Sequence, residues 1–492
     1  MKTDNNGINF CFDNSWAGRM PSSSFSRAAP RACSAPEVLA INNATLHLLD
    51  LDFSSLNFDV VAAQLSGTTA IEGACPISTA YAGHQYGGFV RLGDGRAILL
   101  GEHTTSCGQR FDIQLKGAGR TSYSRRGDGL ATLPTMLKEF ITSAAMQSLG
   151  VSTTTPLALI TSGDPVEREK IFPGAVLVRV AKSHIRIGHF EYFTAFCSPQ
   201  DQRTLLGYAV DRHFPQLNNV NELIPSFFQS VCSSYLALIP KWQGLGFVHG
   251  VMNTDNFLVS GETIDYGPCA FMDTFIPSHA YSSIDELGRY CYRMQPWITF
   301  WNLGKLAEAL APAATQEEIT KLKATMRWFQ QSLWESILAE FRTKLGLSTP
   351  SSEDINLVSD LLKLLEERVD FTNFFCELGL SILGNAPKKS AIYSSELSGW
   401  MARWQRRLST EGRSKEQVAA QMMTVNPWII PRSHEINSLM RRSEELDSHQ
   451  LSNEIQKLMC ALSSPYDYSK IEERFVRPPN PDEVILKTFC GT

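Results

Sequence analysis

The residues best suited to chemistry lie in one stretch, His249-Gly-Val-Met-Asn-Thr-Asp-Asn256, followed by Thr263-Ile-Asp265-Tyr-Gly267. Asn256 offers an amide oxygen and Asp265 a carboxylate. Mg²⁺ prefers oxygen ligands and keeps several waters, so these two groups and the oxygens of a bound phosphate are enough to hold it. Mn²⁺ favours similar oxygen sites and is the expected substitute. Asp255, beside Asn256, is the nearest carboxylate able to accept a proton; its bland alternative is a turn-forming aspartate in a polar loop. Upstream, Phe111-Asp-Ile-Gln-Leu-Lys116 reads as a strand ending in a lysine. Glu139, farther on, is the kind of partner that holds such a lysine on a phosphate. An isolated strand lysine usually faces solvent, so the ordered set Lys116, Glu139, Asn256, Asp265 carries the weight.

Two glycine turns add charge. In Leu92-Gly93-Asp-Gly95-Arg96 the glycines let backbone N–H groups approach a phosphate and Arg96 supplies a cation, although a bare hairpin turn explains the motif equally well. Arg120, Arg125 and Arg126 precede the second turn, Gly127-Asp128-Gly129. Farther on, Arg179 and Arg186 stand seven residues apart among small and apolar neighbours. Arginines in such a setting need anionic partners, and phosphates or structural carboxylates both serve.

The elements that must position these groups change texture along the chain. Residues 1–45, rich in Ser, Pro and Ala, read as an irregular N-terminal arm. From 80 to 120, the apolar runs Phe89–Leu92, Ala97–Leu100 and Phe111–Leu115 alternate with glycine breaks, which is the grammar of an antiparallel sheet. Residues 133–149 predict a helix opened by Pro134 and closed by Gly150. Another strand pair follows around Ala175–Val180. Helices are expected over 223–240, 284–310, 316–345, 355–383 and 395–424, and a hairpin over 257–265 delivers Asn256 and Asp265 to one place. The expected architecture is α+β and bilobal: an N-lobe of small antiparallel sheet plus helix over 46–200, a larger helical C-lobe over 201–470, and a tail over 471–492 carrying Cys490.

Protein kinases build a metal site with HRDxxxxN followed by DFG. His249 to Asn256 spans the same seven positions, and Asp265-Tyr-Gly replaces Asp-Phe-Gly. The aspartate that kinases place two residues after the histidine is Val251 here. An apolar side chain cannot accept a hydroxyl proton, which leaves Asp255 as the candidate base.

With 492 residues, 43% hydrophobic, the chain can bury a substantial core. A net charge of −5 argues against a nucleic-acid surface. No uninterrupted apolar run looks long enough to cross a bilayer, and no secretory h-region opens the chain. Eleven scattered cysteines without CxxC or zinc spacing read as reduced thiols of a cytoplasmic protein. Arg19, Arg27 and Arg31 among serines leave a mitochondrial leader open should the source be eukaryotic.

The segments YAGHQYGGFVRLGDGRAILLGE (81–102), FDIQLKGAGRTSYSRRGDGLA (111–131), VLVRVAKSHIRIGHFEYF (176–193) and FVHGVMNTDNFLVSGETIDYGP (247–268) together resemble the selenoprotein O (SelO) family. The resemblance runs from Phe12 to Pro427. It implies a protein-kinase-like fold and AMPylation, in which ATP binds inverted so that its α-phosphate faces the acceptor. AMP passes to Ser, Thr or Tyr hydroxyls of proteins, the chain itself among the candidate acceptors, and pyrophosphate leaves. By this resemblance Gly93, Gly95 and Arg96 form the nucleotide-binding turn, Lys116 is the phosphate lysine and Glu139 its partner. Asp128 and Gly129 contact nucleotide, Arg179 and Arg186 hold its phosphates, Asn256 and Asp265 take the metal, and Asp255 accepts the proton. Val251 is then a family trait. Relatives often end in a CxxC-like pair, whereas Cys490 has no such neighbour; a free terminal thiol is expected, with a long-range disulfide to Cys269 as the alternative. Two functional alternatives stay open: a kinase using Asp255 as base, and an ATP-binding scaffold without turnover.

Overall fold

Eight strands form one antiparallel sheet in the computed structural model, which describes residues 7–469 and 472–488. They are β1 (Phe25–Arg27), β2 (Glu37–Ile41), β3 (Ile77–Gln85), β4 (Gly88–Gly93), β5 (Ala97–Thr104), β6 (Arg110–Lys116), β7 (Thr155–Glu167) and β8 (Ile171–Ala181). Their order is β1-β3-β5-β6-β8-β7-β2, with β4 paired to the outer half of β3. The register sets Gln114 of β6 opposite Arg179 of β8. On one face Ile98, Ile113, Leu115 and Val178 pack with Leu49 and Leu65 from the N-terminal segment. The irregular arm expected over 1–45 is therefore corrected within its described part: β1 and β2 sit at the two edges of the sheet. They are three and five residues long, too short to stand out from Ser- and Pro-rich surroundings.

The Leu133–Ser148 helix crosses the other face as expected, with Pro134 in its first turn and Gly150 at φ 72 just beyond its end. Its Leu137, Phe140 and Ile141 pack against Leu159 and Leu177 of the sheet and against Ile436 and Ile455 from helices near the C-terminus. Glu139 rides on the same helix, so the packing that seats the helix also aims the carboxylate.

The C-lobe is mainly helical, which gives the protein the bilobal, kinase-like α+β organisation read from the sequence. Its central helix, Leu223–Leu245, has the length and composition of a membrane span, with a mean hydropathy of 1.3. Here it is a core helix, burying Phe227, Val231, Leu238 and Trp242 among the other C-lobe apolar side chains. The Gln316–Lys344 helix matches its expected span and opens on a Thr315/Glu318 capping box. Three long expectations break. Residues 284–291 are turns and bends, with Gly288 at φ 65, and a 3-10 turn over Tyr292–Met294 leads into Gln295–Leu310. The 355–383 stretch divides into Asp354–Leu365 and Phe371–Ile382 at Glu367, φ 59, and the second helix is N-capped by Asp370. The 395–424 stretch divides into Ser395–Ser409 and Lys415–Val425 around Gly412, φ 67.

The expected 257–265 hairpin is also corrected. Leu258 bridges to Arg186, and Thr263 bridges to Thr153, so the two runs pair with other parts of the chain. The paired strands are instead β9 (Phe247–Val248) and β10 (Ala270–Phe271), which clamp the whole 249–269 segment at its base. The ten described cysteines are all free, and Cys490 lies outside the described residues.

Candidate functional site

Alternation along β6 puts Asp112, Gln114 and Lys116 on one face, and each meets a partner from another element. Lys116 Nζ reaches Glu139 at 2.7 and 2.9 Å and Asp265 Oδ1 at 2.7 Å. Gln114 Oε1 accepts from Arg179 Nη2 at 2.6 Å and Nε at 3.2 Å, which turns Nη1 of that arginine onto Asp265 Oδ1 at 2.7 Å. Asp112 accepts from the His184 backbone N–H at 2.7 Å, fixing the turn that leads to Arg186. Arg186 Nη1 lies 3.2 Å from Asp265 Oδ2 and 3.4 Å from Asn256 Oδ1. Three cations thus converge on one carboxylate. Burial alone would raise the Asp265 pKa, but Lys116, Arg179 and Arg186 outweigh it and hold the group well below the usual range.

The catalytic-loop geometry separates Val251 from Asp255. Val251 lends its backbone: its carbonyl accepts from Asn256 Nδ2 at 2.9 Å, so the amide oxygen faces Arg186 Nη1, the same nitrogen that reaches Asp265 Oδ2. His249 is buried between the Val251 N–H and the Ile264 carbonyl, and burial pushes its pKa down to about 4. It is a neutral structural group. Asp255 is also buried, but only one of its oxygens is engaged, accepting from Gln85 Nε2 at 3.4 Å. Its Oδ1 is buried without a hydrogen-bond partner. Burial raises its pKa to about 6, with Arg186 opposing the rise. Gly83 makes room for this carboxylate, because a Cβ there would lie 2.5 Å from Asp255 Oδ1.

Lys116, Glu139, Arg179, Arg186, Asp255, Asn256 and Asp265 line a cleft of about 750 Å³ between the lobes, together with Gly93, Gly95, Arg96, Asp128 and Gly129. Its wall carries seven Lys or Arg side chains against five carboxylates, an excess suited to a polyanion.

A family model described as protein adenylyltransferase SelO matches residues 15–459. The chain belongs to the SelO family. Over 488 residues it is 43% identical to a protein of Anoxybacillus flavithermus named protein nucleotidyltransferase YdiU, covering 98% of this chain and 99% of that one. Relatives of the same name from Bacillus cytotoxicus and Brevibacillus brevis are each 42% identical, covering 100% and 98% of this chain and 99% and 97% of theirs. Membership makes the chain a nucleotidyltransferase.

Within this SelO-family cleft the glycine turns work differently from the expectation. The Asp94 N–H goes to Thr79 O and the Gly95 N–H to Gly93 O, so those two donors are engaged within the protein. Nor do Gly93 and Gly95 form a hairpin turn, since β4 and β5 both pair with β3. A Cβ on Gly93 would enter the Tyr123 ring, and one on Gly95 would lie 2.8 Å from the Tyr123 carbonyl; the glycines let the 121–126 loop close over them. Asp94, passed over in the sequence, is buried, accepts from Thr79 Oγ1 at 2.6 Å and lies 3.9 Å from Arg186.

Asp128 and Gly129 do line the cleft, but the Asp128 carboxylate is held bidentately by Arg168 at 2.9 and 3.0 Å. Arg168 comes from the β7–β8 turn, whose only sequence signal was a run of charge, Glu167-Arg-Glu-Lys170. Of the preceding arginines, Arg126 lines the cleft, Arg120 donates to the Arg125 carbonyl, and Arg125 donates to the Arg91 carbonyl.

Proposed function

We propose that this nucleotidyltransferase moves AMP from ATP to Ser, Thr or Tyr hydroxyls of proteins and releases pyrophosphate. The observation that carries the reading is Asp255: a buried carboxylate with a raised pKa and one unpartnered oxygen, beside Asn256, where the kinase base position holds Val251. In the proposed reaction the Asp255 carboxylate, which lines the cleft, takes the acceptor proton. The freed oxygen forms a bond to the α-phosphorus, and the bond from that phosphorus to the bridging oxygen of the β-phosphate breaks. Lys116, Arg179 and Arg186 offset the charge of the departing pyrophosphate. Inverted binding of ATP, with its outer phosphates toward these three cations, leaves the α-phosphate toward Asp255.

The donor set fits Mg²⁺ or Mn²⁺. Asn256 Oδ1, oriented by the Val251 carbonyl, and Asp265 Oδ2 both lie within 3.4 Å of Arg186 Nη1, and both are hard oxygen donors. Among the described residues no group of three or more His, Cys, Asp or Glu side chains could hold a metal, so phosphate oxygens and water would complete the shell. Bound there, the ion would supply charge neutralisation on the phosphates.

Incubation with ATP labelled at the α-phosphate should label a protein acceptor, while ATP labelled at the γ-phosphate should not. Label arriving only from the γ-position would replace this reading with phosphorylation by Asp255, and label from neither would leave an ATP-binding scaffold.

A further inference from the structure

We propose that the acceptor protein docks through a segment with acidic side chains near its hydroxyl, along an aromatic ridge at the mouth of the cleft. This rests on the AMP-transfer reading and adds the kind of acceptor that reading implies.

The ridge is a chain of ring contacts. Phe196 stacks on Phe89 at 6.4 Å, Phe89 meets His84 at 5.4 Å, and His84 meets Trp301 at 5.3 Å. The Arg289 guanidinium lies 4.9 Å over Trp301 and 5.6 Å over Tyr290, whose ring contacts Tyr86 at 5.1 Å. Phe196, Phe89 and Tyr86 are 47%, 46% and 37% exposed. His84 and Trp301 are half-buried and Tyr290 is buried, so they carry the contacts between the exposed rings; a lone exposed ring is ordinary, whereas exposed rings grouped in this way mark an interaction site.

Its position ties it to the chemistry. Gln85, between His84 and Tyr86, donates to Asp255. The Tyr86 N–H reaches Asn253 Oδ1 at 3.2 Å, and the His84 N–H reaches Thr254 Oγ1 at 2.7 Å. A chain resting on the ridge is therefore in register with the catalytic loop, and Gln85 links the ridge to the Asp255 carboxylate.

Charge selects the occupant. At one end the Arg91 guanidinium lies 5.2 Å over Phe196 and 5.5 Å over Tyr192; farther along stands Arg289, whose Nε is buried without a hydrogen-bond partner. Neither has an acidic side chain within 4.0 Å among the described residues. Lys305, 5.2 Å over Trp301, is different, being paired with Glu308 at 2.8 Å. Two ring-backed guanidinium groups without acids favour carboxylates and disfavour lysine-rich partners. The acids at the ridge are already engaged, Glu191 by His84 and Glu308 by Lys305, so the two guanidinium groups are its charges without an acidic partner, on a chain whose net charge is −5.

The test uses the full chain, α-labelled ATP and an oriented library of Ser, Thr and Tyr peptides. The expected result is enrichment of Asp and Glu, with apolar or aromatic residues, around the labelled hydroxyl. Phe89→Ser with Phe196→Ser, and separately Arg289→Glu, should raise KM for a selected peptide by about tenfold, the scale of a rim contact. Affinity for a fluorescent ATP analogue should stay unchanged, which also reports that the fold is intact. Arg289→Glu should move the preference away from acidic peptides. Wild-type label without acidic preference, or variants with wild-type KM, overturns the docking proposal alone. Failure of the wild type to label any peptide or protein overturns the AMP-transfer reading and takes the docking proposal with it.

Discussion

Two buried clusters of basic and acidic side chains lie in this molecule, and they are built to opposite ends. Arg432 is sealed, its side chain fully buried. It meets Asp273 at 2.7 Å, Asp370 at 2.8 and 3.1 Å, Asn373 at 2.9 Å and the Val476 carbonyl at 3.2 Å. One cation faces two carboxylates, and the partners tie β10, the N-cap of Phe371–Ile382 and the C-terminal segment together. At the cleft the balance reverses. Lys116, Arg179 and Arg186 crowd Asp265, whose side chain is 23% exposed, and cations outnumber acids along the wall. A buried ion pair alone says little about stability or function. The ratio of charges and the open side distinguish a joint from a site.

Opposite substitutions should split these roles. Asp265→Asn should cut AMP transfer by about a thousandfold or more, removing a carboxylate that orders three cations and the proposed metal. Its melting temperature should change less, because Lys116 and Arg179 keep Glu139 as a partner and Arg186 keeps Asp94 nearby. Arg432→Met should do the reverse. It leaves Asp273 and Asp370 buried without their partner, at a cost of about 3–5 kcal/mol in denaturant unfolding, while transfer per folded molecule persists. An Asp265→Asn protein that unfolds more easily than Arg432→Met would erase the distinction.

Much of the cleft was legible because its groups sit on strongly patterned elements. Lys116 closes an apolar strand, Glu139 rides a helix bounded by Pro134 and Gly150, and Asn256 and Asp265 keep kinase-like spacing from His249. What escaped depends on tertiary closure. Arg168 reaches Asp128 across 40 residues, and Asp94 becomes a site residue only because β3 and the 121–126 loop fold around it. The β3–β4 hairpin tip was not singled out at all, and its place at the site shows only in the Asn253 and Tyr290 side chains against it. Helix ends failed at Gly288, Glu367 and Gly412, where left-handed backbone interrupts runs whose apolar spacing continues.

Asp255 sharpens the comparison from the acidic side. Its pKa is raised to about 6 by burial, so the folded protein holds that proton more tightly than the unfolded chain does. The stability it contributes is present below the ordinary aspartate pKa and is lost as pH rises through about 6. Above that pH the buried charge is a cost, as the proposed role of proton acceptor would require. In the metal-free protein, Asp255→Asn should therefore be more stable than wild type at pH 8, by roughly 1–3 kcal/mol, with the advantage vanishing by about pH 4. AMP transfer should be lost at every pH. Equal stability of the two proteins across that range would show that Asp255 is not a strained, desolvated carboxylate.

The smallest expected effect asks whether the cleft needs its surplus charge or merely its geometry. Gln114 is fully buried and, by strand register, faces Arg179, accepting two of its N–H groups and pointing the third nitrogen at Asp265. Gln114→Leu leaves those donors unsatisfied and the guanidinium unaimed, which should weaken ATP binding by about tenfold with a smaller change in kcat. Gln114→Glu keeps the shape and the acceptor oxygen while adding a negative charge beside Arg179. If aim alone matters, Gln114→Glu should bind ATP like wild type. If the excess of cations is what recruits the phosphates, the carboxylate should hold Arg179 firmly, preserve the melting temperature, and still lose nucleotide affinity. Titration of an ATP analogue against both variants separates the two, and the surplus predicts that the glutamate variant stays stable but binds weakly.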